Sequence, residues 1–310
     1  MKKAIVTGAN GFLGRALCRA LNNAEVEVVA LVRDKTRISK ELMELSNVVV
    51  LECCATEYKH LGDIISTRNA DVCFHLAWSG VSGEYRGNLE VQLDSVRWSC
   101  ELLKSCSEIG CKRFVFASTI MEFELQEKIK AGKNMTHMDY YACAKNAAHN
   151  FFRIIACSCG IHYERLIISN VYGPGELSQR LICTSLVKIL RGEQCEFTTG
   201  EQMYDFVYID DAIKAIFAVG ECGRPGKSYY IGSLNPRPLK EFLTELAEVL
   251  DKRDAIKLGA ISGNGISLNY DSFDLLAVKR DTGVVPEVDF KSGIKRTVEW
   301  MQETGIKKIY

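Results

Sequence analysis

No segment of this 310-residue chain holds the roughly 18 or more apolar residues of a membrane-spanning helix. The opening Met1-Lys2-Lys3-Ala4-Ile5-Val6-Thr7-Gly8 has only three apolar residues before Gly8, too short a run for a secretion signal. No Cys-x-x-Cys pair occurs among the 13 cysteines, so zinc-ribbon and thioredoxin-type chemistry are not expected, and no metal site is expected. Thiols scattered through apolar segments (Cys18, Cys73, Cys100, Cys183) without a framework fit a reducing compartment. A cytoplasmic location is therefore expected. Neither sign of charge predominates: 39 Lys plus Arg balance 39 Asp plus Glu. No global attraction to nucleic acid or an anionic membrane follows, so an anionic ligand must be held by local groups. Repeats and low-complexity linkers are also absent.

What is present is an alternation of short β-branched runs with longer helical ones. Strands are expected at Lys3–Val6, Val26–Leu31, Val48–Leu51, Val72–Leu76, Arg113–Ala117 and His162–Ile168. Helices are expected at Phe12–Leu21, about Asn88 to Ile109, and Tyr140–Ala156. Strands apolar on both faces, alternating with helices, predict an α/β fold with a parallel sheet covered on both sides. After Asn170 the punctuation changes. Gly173-Pro174-Gly175 reads as a loop, followed by helices at Leu181–Leu190, Asp210–Val219, Leu239–Leu250 and Phe290 to Gln302, and a strand near Phe206–Tyr208. The expected division is 1–170 and 171–310, the second part a smaller lobe interleaved with the first.

Gly8, Gly11 and Gly14 stand between the first strand and the first helix. A tight strand-to-helix turn, a close backbone approach to a pyrophosphate and close helix–strand packing each call for a residue without a side chain. The helix N-terminus supplies N–H groups and a favourable dipole for phosphate. A dinucleotide is the expected ligand. At the tip of the second strand, Val32 is followed by Arg33, with Lys35 and Arg37 close by. Cations there would pair with a 2′-phosphate, which favours NADP; Asp34 leaves NAD open.

Tyr141 and Lys145 lie four apart on a predicted helix and share one face. A neighbouring ammonium favours phenolate, making the pair a usable general acid/base. Thr119, or Ser118, ends an apolar strand where ligands of open parallel sheets bind, and could hold a substrate oxygen beside Tyr141.

Together these features resemble the extended short-chain dehydrogenase/reductase family, in its nucleotide-sugar epimerase, dehydratase and reductase branch. The resemblance runs through Thr7 to Gly14, Asp71 to Ala77, Ser118-Thr119, Tyr141-x-x-x-Lys145, Ser169 to Gly175 and Asp205 to Asp211. It implies a Rossmann-type doubly wound sheet with a C-terminal α/β substrate lobe. It implies that Tyr141 is the acid/base, Lys145 its partner and ribose anchor, and Thr119 the third catalytic group. Gly8, Gly11 and Gly14, with the backbone N–H groups of Phe12 and Leu13, would hold the pyrophosphate. Leu76 and Ala77 would line the cofactor cleft and Asn170 would contact a sugar nucleotide. Helices 88–109 and 140–156 would form a homodimer interface.

Three positions depart from the family pattern: Cys54 and Ser95 stand where relatives have an acid and an Asn, and Tyr204 stands where they have Arg. Arg180, Lys279 and Arg280 are possible replacements for the lost phosphate contact. Ile120 and Met121 follow Thr119 where dehydratases carry an acidic pair, which disfavours dehydration. The expected activity is 4-keto reduction of a nucleotide-linked hexose. Alternatives are a 4-epimerase with retained NAD, a non-catalytic nicotinamide sensor, and a reductase of small ketones.

Overall fold

The computed structural model describes residues 1–263 and 266–305. Its centre is a seven-stranded sheet. Six strands come from the first half: β1 (Lys3–Thr7), β2 (Glu27–Val32), β3 (Val48–Glu52), β4 (Val72–His75), β5 (Arg113–Thr119) and β6 (His162–Ile168). The order is β3-β2-β1-β4-β5-β6, completed beyond β6 by Ser228–Ile231. β1 to β6 pair in parallel throughout. The order reverses beside β1, and open α/β sheets bind ligands outside the carboxyl ends of strands at such a switch point.

The inner strands are buried almost end to end, as strands covered on both faces must be. A core of Ile5, Leu31, Phe114 and Phe116 meets Leu102, Leu103 and Phe152 from the helices Leu89–Glu108 and Tyr140–Cys159. The first of these helices begins where the Asn88 side chain accepts the Val91 N–H at 3.1 Å. The second ends at Gly160, whose φ of +69° is the left-handed conformation that stops a helix.

Two compact units divide the chain. The first comprises Met1–Ile168, Ile213–Tyr230 and Leu276–Val284; the second comprises Ser169–Ala212, Ile231–Leu275 and Val285–Tyr310. The chain thus returns twice to the sheet-bearing unit. One return packs tightly on the sheet: a Cβ at Gly220 would fall 2.2 Å from the Phe74 ring. The second unit holds the helices Leu181–Leu190, Leu239–Val249 and Phe290–Thr304 and three two-stranded ladders. Its core stacks Tyr172, Phe206, Phe242 and Phe290 edge to face.

Three local expectations are corrected. β2 runs one residue later than the periodicity predicts, which makes Val32 its last residue. β5 continues through Ser118 and Thr119 instead of stopping at Ala117, because both pair in register with Ile167 and Ile168 of β6. A ten-residue helix, Met121–Lys130, follows it where no helix was expected. Only Leu125 and Glu122 of that helix are buried, so its apolar periodicity is faint.

Candidate active site

The glycine turn is built as the sequence demands. Gly8 has φ +67°, and a Cβ there would stand 2.8 Å from the Ala77 nitrogen. A Cβ at Gly14 would stand 2.1 Å from the Gly8 carbonyl oxygen. Both glycines therefore serve close approach: one of the turn to the end of β4, the other of the helix to the turn. Gly11 is the N-cap of the helix Phe12–Asn23 and brings no side chain to cap it. The N–H groups of Phe12, Leu13 and Gly14 sit in the first helical turn, where no intrahelical acceptor exists. A backbone cradle of this kind fits a pyrophosphate.

The turn is tied to its neighbours by side chains. Asn10 donates to the Arg37 carbonyl at 2.8 Å and accepts the Ser39 N–H at 2.9 Å, fixing the loop after β2. In that loop Arg33 is exposed. The Asp34 carboxylate accepts from the Thr36 N–H at 2.8 Å and the Thr36 hydroxyl at 2.6 Å. These bonds, ahead of the charges of Arg37 and Arg33, hold the Asp34 carboxyl below the usual range. Asp34 is thus the N-cap of the short turn Lys35–Arg37. Cys54 lies against the same loop, its thiol 3.6 Å from the Arg33 carbonyl.

Behind the turn runs a buried line of polar groups. The Ala77 N–H donates to the Thr7 hydroxyl at 3.2 Å, and Thr7 Oγ1 lies 2.8 Å from His75 Nδ1. His75 Nε2 lies 2.8 Å from Ser99 Oγ, which donates to the Ser95 carbonyl at 2.6 Å. Ser99 spends its proton on that carbonyl, so it accepts from His75 Nε2–H, and Nδ1 accepts from Thr7. The imidazole is neutral, its pKa pushed down to about 3 by burial and then by the Lys145 charge. Ser95 Oγ turns back to the Val91 carbonyl at 2.8 Å.

Tyr141 and Lys145 occupy successive turns of the helix Tyr140–Cys159, and both are buried. The Lys145 ammonium donates to the Ala117 carbonyl at 2.7 Å, which brings it to the end of β5. It lies 4.0 Å from the centre of the Trp78 ring, 4.6 Å from that of Phe116 and 5.9 Å from that of Tyr141. Burial lowers its pKa to about 7, against the opposing pull of the Glu122 carboxylate. Trp78 is held in turn by Gln92, which accepts its indole N–H at 2.9 Å. Nothing in the sequence marked Trp78, because Lys145, the cation over its ring, is 67 positions away.

Thr119 ends β5 beside this pair of turns. Its hydroxyl oxygen accepts the Met121 N–H at 3.3 Å, starting the helix Met121–Lys130 and leaving its own proton to donate. Ser118 has a different task. Its hydroxyl donates to Glu122 and accepts from Arg165 Nε at 3.3 Å, and Arg165 also pairs with Glu122. This Ser118–Glu122–Arg165 cluster is buried. Burial raises the Glu122 pKa, against Arg165. Sequence reasoning missed Glu122 and Arg165 as a pair, since 43 positions separate them.

Asn170, Arg180 and Tyr204 belong to the second unit. Asn170 donates from both its backbone N–H and its side chain to the Asp205 carbonyl, each at 3.3 Å. Asp205 is itself fixed by the Ser233 N–H at 3.0 Å. Arg180 is largely exposed, with Nε 3.9 Å from the buried Glu176. Tyr204 stacks on Phe206 at 5.5 Å. Lys279 and Arg280 lie on the short helix Ala277–Thr282, in the first unit.

Comparison with known proteins agrees with this architecture. The chain is 24% identical to the dTDP-glucose 4,6-dehydratase of Escherichia coli over 96% of this chain and 93% of that protein. Its fold superposes on the UDP-glucose 4-epimerase of Thermotoga maritima, solved with UDP-glucose, with TM-score 0.80 and 22% identity, covering 97% of this chain and 99% of the other. WbmF of Bordetella bronchiseptica, solved with NADH, matches with TM-score 0.78 and 18% identity over 99% and 94% of the two chains. The description of the NAD dependent epimerase/dehydratase family matches residues 4–232. On that match, and with the glycine turn and switch-point sheet in place, the chain belongs to the NAD-dependent epimerase/dehydratase family.

Proposed function

We propose that the protein transfers hydride reversibly at C4 of a nucleotide-linked hexose, acting as a 4-ketoreductase with NADP. The observation that carries the reading is the Tyr141–Lys145 pair, with Lys145 buried and bonded to the strand that ends in Thr119. The nicotinamide, when bound, supplies or accepts the hydride. Gly8, Gly11 and Gly14, with the N–H groups of Phe12 and Leu13, hold the pyrophosphate, and Leu76 and Ala77 line the cleft beside them. Lys145 favours the Tyr141 phenolate by its charge and anchors a ribose hydroxyl. Tyr141 gives its proton to the carbonyl oxygen as it becomes a hydroxyl, and takes it back in the reverse direction. Thr119 donates a hydrogen bond to the same oxygen.

Arg33 supports NADP over NAD, because it is exposed while the Asp34 carboxylate is occupied by Thr36. Ile120 and Met121, following Thr119, leave no acidic pair for elimination of water. The second unit serves as the substrate lobe, and Asn170 and Arg180 within it are assigned to sugar-nucleotide binding. Leu89, Leu93, Phe151 and Ile154 are exposed apolar residues on the helices Leu89–Glu108 and Tyr140–Cys159, and they support a homodimer through those helices.

A second reading, a 4-epimerase that retains NAD, is favoured by the likeness to the Thermotoga maritima enzyme. The test is a panel of UDP-, dTDP-, CDP- and GDP-linked 4-keto and 4-hydroxy hexoses, followed by nicotinamide absorbance and by product analysis. Net oxidation of NADPH with a 4-keto substrate, lost in Tyr141→Phe, is the expected result. Interconversion of 4-epimers without net cofactor turnover selects the second reading. Full turnover by Tyr141→Phe overturns both.

A further inference from the structure

Lys145 is not the only cation beside Tyr141. The Arg86 guanidinium lies 5.4 Å from the centre of the Tyr141 ring. Arg86 belongs to the short turn Glu84–Gly87, far in sequence from the helix it faces. Its position is fixed: Nε donates to the Met138 carbonyl at 3.3 Å, and a terminal nitrogen lies 3.1 Å from Met121 Sδ. Met121 is the residue whose N–H binds the Thr119 hydroxyl. Arg86 therefore touches Tyr141, the turn that leads into its helix, and the first residue of the helix that follows β5.

The two cations differ in kind. A buried ammonium pays a desolvation penalty and can lose its proton, and burial pushes the Lys145 pKa down to about 7. A guanidinium stays charged across the working pH range. We propose that Arg86 is a positioning residue for Tyr141, a permanent cation held against its ring that favours the phenolate. This rests on the acid/base role proposed above for Tyr141, but ionisation of the phenol can be measured without it.

Charged groups on neighbouring elements act on these two cations. Lys145 lies on its own helix, with Glu122 acting on it from the helix Met121–Lys130. The same helix brings Glu124, whose carboxyl is raised by burial and lowered by Arg86 and then Lys128. Asp139, in the turn before Tyr140, is paired with Lys128 at 2.6 Å. His75, behind Lys145, is neutral. Glu124 thus offsets Arg86 in part, and its removal should act in the opposite direction.

The experiment is an alkaline titration of the full-length chain by tyrosinate absorbance. Subtracting the Tyr141→Phe curve isolates Tyr141 from the other tyrosines. Arg86→Met is expected to raise the Tyr141 midpoint by about one to two pH units. Arg86→Lys should restore most of the shift, because it keeps the charge. Glu124→Gln should lower the midpoint. An unchanged midpoint in Arg86→Met, or an equal rise in Arg86→Lys, overturns the proposal. Should Arg86→Met fail to fold, Glu124→Gln decides, and no lowering there overturns it as well. A chain that shows these shifts yet turns over no nucleotide sugar keeps the role of Arg86 and loses the proposed reaction.

Discussion

A Cβ on Gly14 would lie 2.1 Å from the carbonyl oxygen of Gly8. The helix and the turn before it are therefore in backbone contact, and neither can retreat while β1 and the Ala77 backbone hold the other side. Gly14→Ala is expected to destabilise the protein by about 1–3 kcal/mol through overpacking and to weaken NAD(H) and NADP(H) binding together. Gly160→Ala is the control. Its φ is +69° but no atom lies within 4 Å of the added Cβ, so only the strain of about 1 kcal/mol applies. Urea unfolding and a nicotinamide fluorescence titration read both effects. Equal losses of cofactor affinity in the two variants would contradict the assignment of the turn.

Lys145 makes stability depend on pH in a defined direction. Its folded pKa of about 7 lies below the ordinary lysine value of 10.5. Between those values the unfolded chain binds the proton and the folded one does not, so stability rises with pH. The gain is complete above 10.5 and lost as pH falls through 7. The wild type should gain on Lys145→Met by up to about 1.4 kcal/mol per pH unit inside this window. Below pH 7 the difference between the two should be flat. Urea midpoints measured across the range test this, and a difference independent of pH would mean that Lys145 is charged throughout.

Arg33 offers a test of cofactor choice. Arg33→Asp should weaken NADPH by about ten-fold or more, the scale of a lost charge-assisted hydrogen bond, while NADH binding holds or improves. Calorimetric titration of both cofactors distinguishes this from a general loss. If both affinities fall alike, Arg33 serves the turn and not the 2′ position.

The buried pair of Glu122 and Arg165 is expected to be costly to break and cheap to replace. Glu122→Ala leaves a buried guanidinium uncompensated and should cost about 3–5 kcal/mol. Glu122→Met combined with Arg165→Met should recover most of that loss. A double-mutant cycle by chemical unfolding gives the coupling. Additive single losses would place the two charges in contact with water and not with each other.

How much of this was legible in the sequence depends on how far apart the partners lie. The glycine turn was readable because seven residues contain the whole device, and Tyr141 with Lys145 because one helical turn joins them. The strands of the first half were readable from their β-branched runs. Trp78 beneath Lys145, Arg86 over Tyr141 and Arg165 on Glu122 were not, since only the fold brings them together. The helix Met121–Lys130 escaped notice because its charged residues mask a narrow buried face. The edge strand Ser228–Ile231 was missed for another reason. It is four residues long and follows the helix Ile209–Cys222, in a stretch that the sequence assigns to the C-terminal lobe.

That late strand bears on how the chain can be made. The unit that carries the glycine turn includes residues 213–230 and 276–284, with Gly220 seated against Phe74. A ribosome delivers β1 more than 200 residues before the last piece of its unit, Leu276–Val284. During synthesis the β6 edge and the Phe74 surface stand uncovered, open to premature pairing with another nascent chain. Fragments ending near residue 168 should therefore be poor expression products, and the unit with the glycine turn should close only after residues 276–284 have emerged.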